Sequence, residues 1–173
     1  WENTDSAGGS WTRRAIEDTS GLGIAVAVGD VDGDGDPDVV APDQSGDRFV
    51  WWANETLHGS AEYPEAQTID GAFGEVIMIS VADVDGDGDL DVALATSRAK
   101  NGPAEDRLLL NDGTGKFTDA SAQLPATRAN NSASVAIGDL SGDGKPDLVF
   151  GGPTGIRVYV KTANGFAAGT TPN

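Results

Sequence analysis

Short apolar runs separated by glycine- and aspartate-rich segments dominate the pattern of this chain. The runs are rich in β-branched residues and too short for helices, so they predict strands. Three runs lead into strongly acidic segments and three others leave them. The predicted pairs are 24–28 with 39–41, 76–81 with 92–94, and 135–137 with 148–150. The chain is therefore predicted to be all-β.

The strands are arranged in repeats. Each pair is followed by another apolar strand, at residues 49–52, 108–110 and 158–160. A weaker fourth strand is predicted around 65–69, 116–120 and 165–168. The acidic segments begin 53 and then 56 residues apart, a period typical of repeat architectures. Four short strands per repeat predict three blade-like antiparallel sheets of the β-propeller type.

The acidic segments are nine-residue loops with oxygen-bearing side chains at alternate positions and glycine at position 6. They read DVDGDGDPD from Asp30, DVDGDGDLD from Asp83 and DLSGDGKPD from Asp139. Hard divalent cations such as Ca²⁺ take oxygen ligands, and alternating ligands around a glycine turn are typical of calcium loops. The sequence therefore predicts three Ca²⁺ sites.

The third loop separates side-chain ligands from backbone ligands. It has Lys145 at position 7, where an ammonium cannot bind a cation, so position 7 is expected to serve through its carbonyl. The predicted side-chain ligands are Asp30, Asp32, Asp34 and Asp38; Asp83, Asp85, Asp87 and Asp91; and Asp139, Ser141, Asp143 and Asp147. The carbonyls of Asp36, Asp89 and Lys145 are expected to complete the three sets.

Two other interpretations of the loops are weaker. An EF-hand needs flanking helices and a glutamate at position 12, which here is Ala41, Leu94 or Phe150. An ordinary acidic hairpin turn would explain one Asp-Gly pair. It does not explain three loops in the same register.

The pattern resembles the FG-GAP/VCBS repeat family of calcium-bearing propeller blades. The resemblance depends on the three loops, on Phe73-Gly74 ahead of the second loop, and on Ala41-Pro42 and Gly152-Pro153 after two of them. It implies a propeller in which each loop joins the first two strands of a blade and binds calcium through positions 1, 3, 5, 7 and 9. The first repeat has Gly21-Leu22-Gly23 in place of the Phe-Gly pair.

The repeats set the expected domain organisation. A single repeat domain is predicted over 1–173, with repeats at about 21–70, 71–125 and 130–173. Residues 1–20 are expected to be the tail of a preceding blade, since Trp1-Glu2-Asn3 matches Trp52-Ala53-Asn54 and residues 11–16 resemble a fourth strand. Stacked repeats need neighbours, so further blades or copies of the same chain are expected partners.

The charge supports the metal interpretation. The formal net charge is −17, and the three loops hold 13 of the 28 acidic residues and one of the 11 basic residues. Nucleic acid is not an expected partner because the sequence has no basic stripe. The chain lacks cysteine, which excludes disulfides and thiolate metal sites, and it has no apolar stretch for membrane insertion. Calcium loops saturate most easily outside cells, which favours a secreted or cell-surface protein.

Other candidate residues are better explained by structure than by chemistry. His58 is the single histidine and lies in a polar loop, so no catalytic residues are predicted. The four tryptophans are expected to pack mainly between blades, although adjacent Trp51 and Trp52 point to opposite faces and one of them could be exposed to a sugar. Sequons begin at Asn54 and Asn130. Residues 98–106 and 126–134 are expected to be binding loops.

The sequence favours a nonenzymatic, extracellular, calcium-stabilised repeat module for binding, adhesion or structural assembly. Its ligand would be a protein or a glycan at the surface. One alternative is a carbohydrate-binding or noncatalytic part of a polysaccharide-degrading enzyme. Another is a self-assembling surface filament, in which the N-terminal strand of one chain completes a blade of the next by β-augmentation.

Overall fold

A computed structural model describes residues 2–3, 11–12, 25–43, 48–54, 67–71, 75–98, 105–126 and 131–169. These residues form strands and one short 3₁₀ helix, Ser121–Gln123. The strands are β1 (Glu2–Asn3), β2 (Trp11–Thr12), β3 (Ala27–Gly29), β4 (Asp38–Asp43), β5 (Arg48–Trp52), β6 (Gln67–Gly71), β7 (Glu75–Ala82), β8 (Asp91–Arg98), β9 (Arg107–Asn111), β10 (Phe117–Asp119), β11 (Ser134–Gly138), β12 (Asp147–Gly152), β13 (Gly155–Thr162) and β14 (Gly165–Ala168).

Three four-stranded antiparallel sheets contain most of these strands. Each is a meander in chain order: β3 to β6, β7 to β10, and β11 to β14. The first strands of the sheets are neighbours, because β7 contacts both β3 and β11. This is the arrangement of propeller blades. The all-β prediction of three four-stranded blades is confirmed.

Each acidic loop connects the first and second strands of a blade. Residues 30–37 join β3 to β4, 83–90 join β7 to β8, and 139–146 join β11 to β12. Strand boundaries differ from the prediction by a few residues. β3 begins at Ala27, with Ala25 and Val26 outside it, and β6 extends two residues past the predicted end at Ile69, to Gly71; Ile24 and residues 65 and 66 lie outside the described residues.

The leading segment also forms a small sheet. β1 pairs with β2 antiparallel, with Glu2 opposite Thr12 and Asn3 opposite Trp11. In the complete blades the third and fourth strands pair in the same sense, as β5 pairs with β6. All neighbouring strands of the blades pair in this way, so the assignment of the leading strands to a preceding blade stays a prediction. Residues 13–16 of the predicted strand lie outside the described residues.

The hydrophobic core lies between neighbouring blades. One cluster joins Trp51 and Val40 of the first blade to Val76 and Leu94 of the second. Another joins Leu108 of the second blade to residues of the third, including Leu148, Phe150 and Tyr159. The alternation of strand side chains therefore buries both faces of the middle blade. This packing holds the acidic loops at the same end of adjacent sheets.

Trp51 and Trp52 do point to opposite faces, but neither is exposed. Trp51 is 3% exposed and packs toward the second blade, whereas Trp52 is 2% exposed and packs with Ala41 and Val50. The expectation that one of them could meet a sugar is wrong. A blade within a stack is covered on both faces, so alternation alone does not expose a side chain.

Candidate metal centre

The carboxylate at position 1 organises the turn of each loop. In the first loop the amides of Gly33 and Gly35 donate to the two carboxylate oxygens of Asp30, at 2.8 and 3.0 Å. Both glycines have positive φ, 76° and 95°, a conformation that side chains with a Cβ disfavour. The same pair of contacts recurs on Asp83 and on Asp139. The loop backbone therefore curls around its first aspartate.

The carboxylate at position 9 ties each loop to the sheet. Asp38 is fully buried, and its Oδ2 accepts from the backbone N–H of Val31 at 2.8 Å. Its Oδ1 accepts from the N–H of Asn54, two residues after the third strand, also at 2.8 Å. Asp91 and Asp147 are equally buried and accept the equivalent pairs of bonds. One side chain thus fixes the loop, the second strand and the third strand.

In the first two loops, the carboxylates at positions 3 and 5 each accept a bond from the loop backbone. The amide of Asp34 donates to Asp32 at 3.3 Å, and the amide of Asp36 donates to Asp34 at 2.8 Å. The corresponding bonds in the second loop involve Asp85 and Asp87. Among the described residues, Asp34 and Asp87 are not part of the carboxylate groups that converge, so ligation through position 5 stays a prediction. A carboxylate oxygen has two lone pairs, so an oxygen that accepts an N–H can also bind a cation.

Three carboxylates converge in each of the first two loops. Oxygens of Asp30, Asp32 and Asp38 lie within 4.8 Å of one another, and so do those of Asp83, Asp85 and Asp91. Calcium binds oxygen at about 2.3–2.6 Å, so two ligands on one ion are separated by at most about 5 Å. The two clusters could therefore hold a metal ion of this kind.

Burial and crowding make the clustered carboxylates hard to ionise without a counter-charge. The pKa of Asp32 is raised by burial and by the nearby charges of Asp34 and Asp30. Burial likewise raises the pKa of Asp38, against the opposing effect of its backbone donors. Burial raises the pKa of Asp91 to about 6. A bound cation would offset these costs, and the oxygen-only donor set suits a hard cation.

The third loop has the same backbone framework with a different charge. Backbone donors, foremost Gly144, lower the pKa of Asp139. The hydroxyl of Ser141 is 3.5 Å from Asp139, so position 3 supplies a neutral oxygen. The ammonium of Lys145 is 3.9 Å from Asp143. Within the described residues, the convergence of three carboxylates is confined to the first two loops.

The side chains at position 7 differ in burial from one loop to the next. Asp36 is buried and its Oδ2 has no hydrogen-bond partner, Asp89 is half-buried, and Lys145 is exposed. Their amides nevertheless make the same bond, to the carboxylate at position 5. The backbone at position 7 is therefore the common element. Coordination through its carbonyl stays a prediction.

Three residues that support the site were missed from the sequence. Asn54, Asn111 and Lys161 each donate a backbone N–H to the buried aspartate at position 9. The available signal was their place within two residues of the end of the third strand of each repeat. Asn54 also begins a sequon, but it is 7% exposed and its side chain donates to the carbonyl of Pro37.

The remaining candidate residues either are buried or lie outside the described residues. Ser132, the hydroxyl residue of the second sequon, is buried and bonded to Asp106 and Arg157. Asp106 closes the expected binding loop 98–106, yet it too is fully buried. His58, Phe73-Gly74 and Gly21-Leu22-Gly23 lie outside the described residues, as do Trp1 and the side chain of Trp11.

Comparison with protein families places the loops in a known repeat. The model for the FG-GAP-like repeat matches residues 30–94 and 83–150. Each match begins at the first aspartate of one loop and ends beyond the next loop, and together they cover more than half of the chain. Comparison with curated proteins finds no significant match. The chain belongs to the FG-GAP-like repeat family.

Proposed function

We propose that this chain is an extracellular, calcium-stabilised β-propeller-type module with one Ca²⁺ in each of its three loops. The observation that carries the proposal is the convergence of carboxylates in the first two loops on a backbone framework shared by all three. Its role would be binding, adhesion or structural assembly rather than catalysis. The surface ligand would be a protein or a glycan, and further blades or copies of the chain would be neighbours.

The ion would act on stability. Without it, several aspartates share one short turn, and their mutual repulsion opposes folding. With it, the carboxylates at positions 1, 3, 5 and 9 would be held together with the carbonyl at position 7. Because the carboxylate at position 9 also binds the third strand, an ordered loop would stabilise the whole blade. Calcium-free chain is therefore expected to unfold more easily.

An extracellular location is supported by the chemistry and by the family. Calcium loops with moderate affinity fill where the ion is millimolar. FG-GAP repeats are typical of extracellular proteins. In the part of the chain that the structure describes, no helix has the length and apolar character needed to cross a bilayer.

Calorimetry with calcium tests the proposal. The wild-type chain is expected to bind three ions and Asp85→Asn two, because the amide keeps the shape of the side chain but loses a ligand charge. Glu75→Gln is the control, since Glu75 is an exposed acid of β7 outside the loops and its amide likewise keeps the shape of the side chain. Each site filled at 100 times Kd adds about 2.7 kcal/mol of stability. Binding of fewer than three ions, or a melting curve unchanged by EGTA, would contradict the proposal.

A further inference from the structure

A polar groove lies between the second and third blades. It has a volume of about 470 Å³ and is bounded by the second acidic loop at Asp85, by Lys145 of the third loop, and by the turn between β13 and β14. Small-molecule sites typically measure about 300–1,000 Å³. The groove is therefore large enough for a ligand of one or two sugar units.

Two lysines face this groove at positions where the other blades have different residues. Lys145 occupies position 7, which is Asp36 in the first loop and Asp89 in the second. Lys161 occupies the place near the end of the third strand that Asn54 and Asn111 take in the other blades, as shown by the shared bond to position 9. Both departures of the third blade from the repeat add a positive charge to the same groove.

The fold does not require either ammonium. The backbone N–H of Lys145 donates to Asp143, and that of Lys161 donates to Asp147; the aspartates and asparagines of the other blades make the same bonds. The ammonium of Lys145 is 3.9 Å from Asp143 in an exposed pair, which is weak. The ammonium of Lys161 lies 4.8 Å from the ring centre of Phe166. Both charges are therefore open to an anionic ligand.

The remaining walls suit hydroxyl groups rather than apolar ones. Gln123, Thr162 and Asn164 supply amide and hydroxyl groups, and Ala163 is the one wholly apolar side chain in the lining. An extended peptide would be recognised by apolar pockets for alternate side chains, which this lining does not provide. A polyhydroxylated anion matches it better.

We propose that this groove binds a carboxylated saccharide. The ligand carboxylate would lie between the ammonium groups of Lys145 and Lys161, and its hydroxyls would bond to Thr162, Asn164 and Gln123. This groove would supply the ligand site for the surface-binding role proposed above. The inference rests on that proposal because it requires calcium in the second loop. Asp85 borders the groove, and its charge would repel the ligand unless an ion in that loop offsets it.

Titration calorimetry with digalacturonate in calcium buffer at low ionic strength is the direct test, with neutral galactobiose as the comparison. Digalacturonate is expected to bind at least tenfold more tightly than galactobiose. Lys145→Gln and Lys161→Gln should each weaken it by about threefold to tenfold. Lys116→Gln removes the same charge from the β9–β10 turn, outside the groove, and should change the affinity less than twofold.

Further arms identify the ligand class and separate this proposal from the calcium proposal. Tetraglutamate or inorganic phosphate binding as tightly as digalacturonate would overturn the saccharide assignment. Equal losses in Lys116→Gln and Lys161→Gln would overturn the groove. When calcium is chelated and circular dichroism shows both chains to be folded, Asp85→Asn, which removes the repelling charge, should bind digalacturonate more tightly than the wild-type chain; equal binding would overturn the role of Asp85. If the chain binds three calcium ions but does not bind digalacturonate, the proposal for the groove is overturned and the calcium proposal stands.

Discussion

The side-chain amide of Asn111 donates a hydrogen bond to the backbone carbonyl of Val31, 2.8 Å away, although the residues are 80 positions apart in the chain. The backbone N–H of Asn111 also donates to Asp91, at 2.9 Å. One asparagine therefore joins the acidic loop of the first blade to that of the second.

Asn111→Ala is expected to lower the free energy of unfolding by about 1–3 kcal/mol, because the buried carbonyl of Val31 loses its donor. Asn164→Ala, the same deletion at an exposed turn, should change it by less than about 0.5 kcal/mol. Urea unfolding in calcium buffer measures both. Similar losses in the two variants would show that the contact between blades contributes nothing specific.

The third calcium site is expected to be the weakest, because Ser141 replaces a carboxylate at position 3. Ser141→Asp should raise its affinity, and Ser134→Asp, which adds the same charge outside the loop, should not reproduce the increase. Competitive calcium titration with a chelating dye would resolve the sites. A third site that is already as tight as the first two would contradict this prediction.

The stability of the metal-free chain should fall between about pH 4 and pH 7. Burial raises the pKa of Asp91 from 3.8 to about 6. The folded state therefore binds this proton more tightly than the unfolded state, and the stability gained from it is lost as the pH rises through about 6. Urea unfolding of chelated, desalted protein at about pH 5 and pH 7 checks the sign. Asp91→Asn should reduce the difference.

Calcium should reverse that trend, because its ligands must lose their protons before they bind. In calcium buffer the chain is therefore expected to become more stable as the pH rises over the same interval. An identical pH profile with and without calcium would contradict the assignment of Asp91 as a ligand.

Arg157→Met is expected to cost about 3–5 kcal/mol. Arg157 lies 3.1 Å from the fully buried carboxylate of Asp106, which also accepts from Ser132, and together they connect the second and third blades. Removing the arginine leaves a buried charge without its cation. Arg107→Met, at a more exposed pair with Asp119, should cost less. Denaturant unfolding at neutral pH measures the two losses, and equal losses would exclude a special role for burial.

The sequence predicted the loops and strands because both depend on local spacing. Lys145 indicated that position 7 has no common side-chain role in binding, which stays a prediction; the structure shows a backbone amide bond at this position that the three loops share. Alternation along β5 placed Trp51 and Trp52 on opposite faces. It could not show that both faces are covered, since burial depends on the neighbouring elements.

The residues missed from the sequence act through contacts that are distant along the chain. Asn111 has no motif that marks its bond to Val31. Asp106 lies at the end of a polar segment that resembles a binding loop, and only the packing of the third blade against the second reveals its buried partners. Such contacts follow from how the blades stack rather than from periodicity.

The shared carboxylate at position 9 also gives each loop a built-in spectroscopic reporter. The backbone amides of Asn54, Asn111 and Lys161 each donate to a different one of these aspartates. An ion that binds one of these carboxylates should therefore shift the NMR resonance of the amide that donates to it and slow the exchange of that amide with solvent. The occupancy of three neighbouring, chemically similar sites could then be followed separately in a single labelled sample.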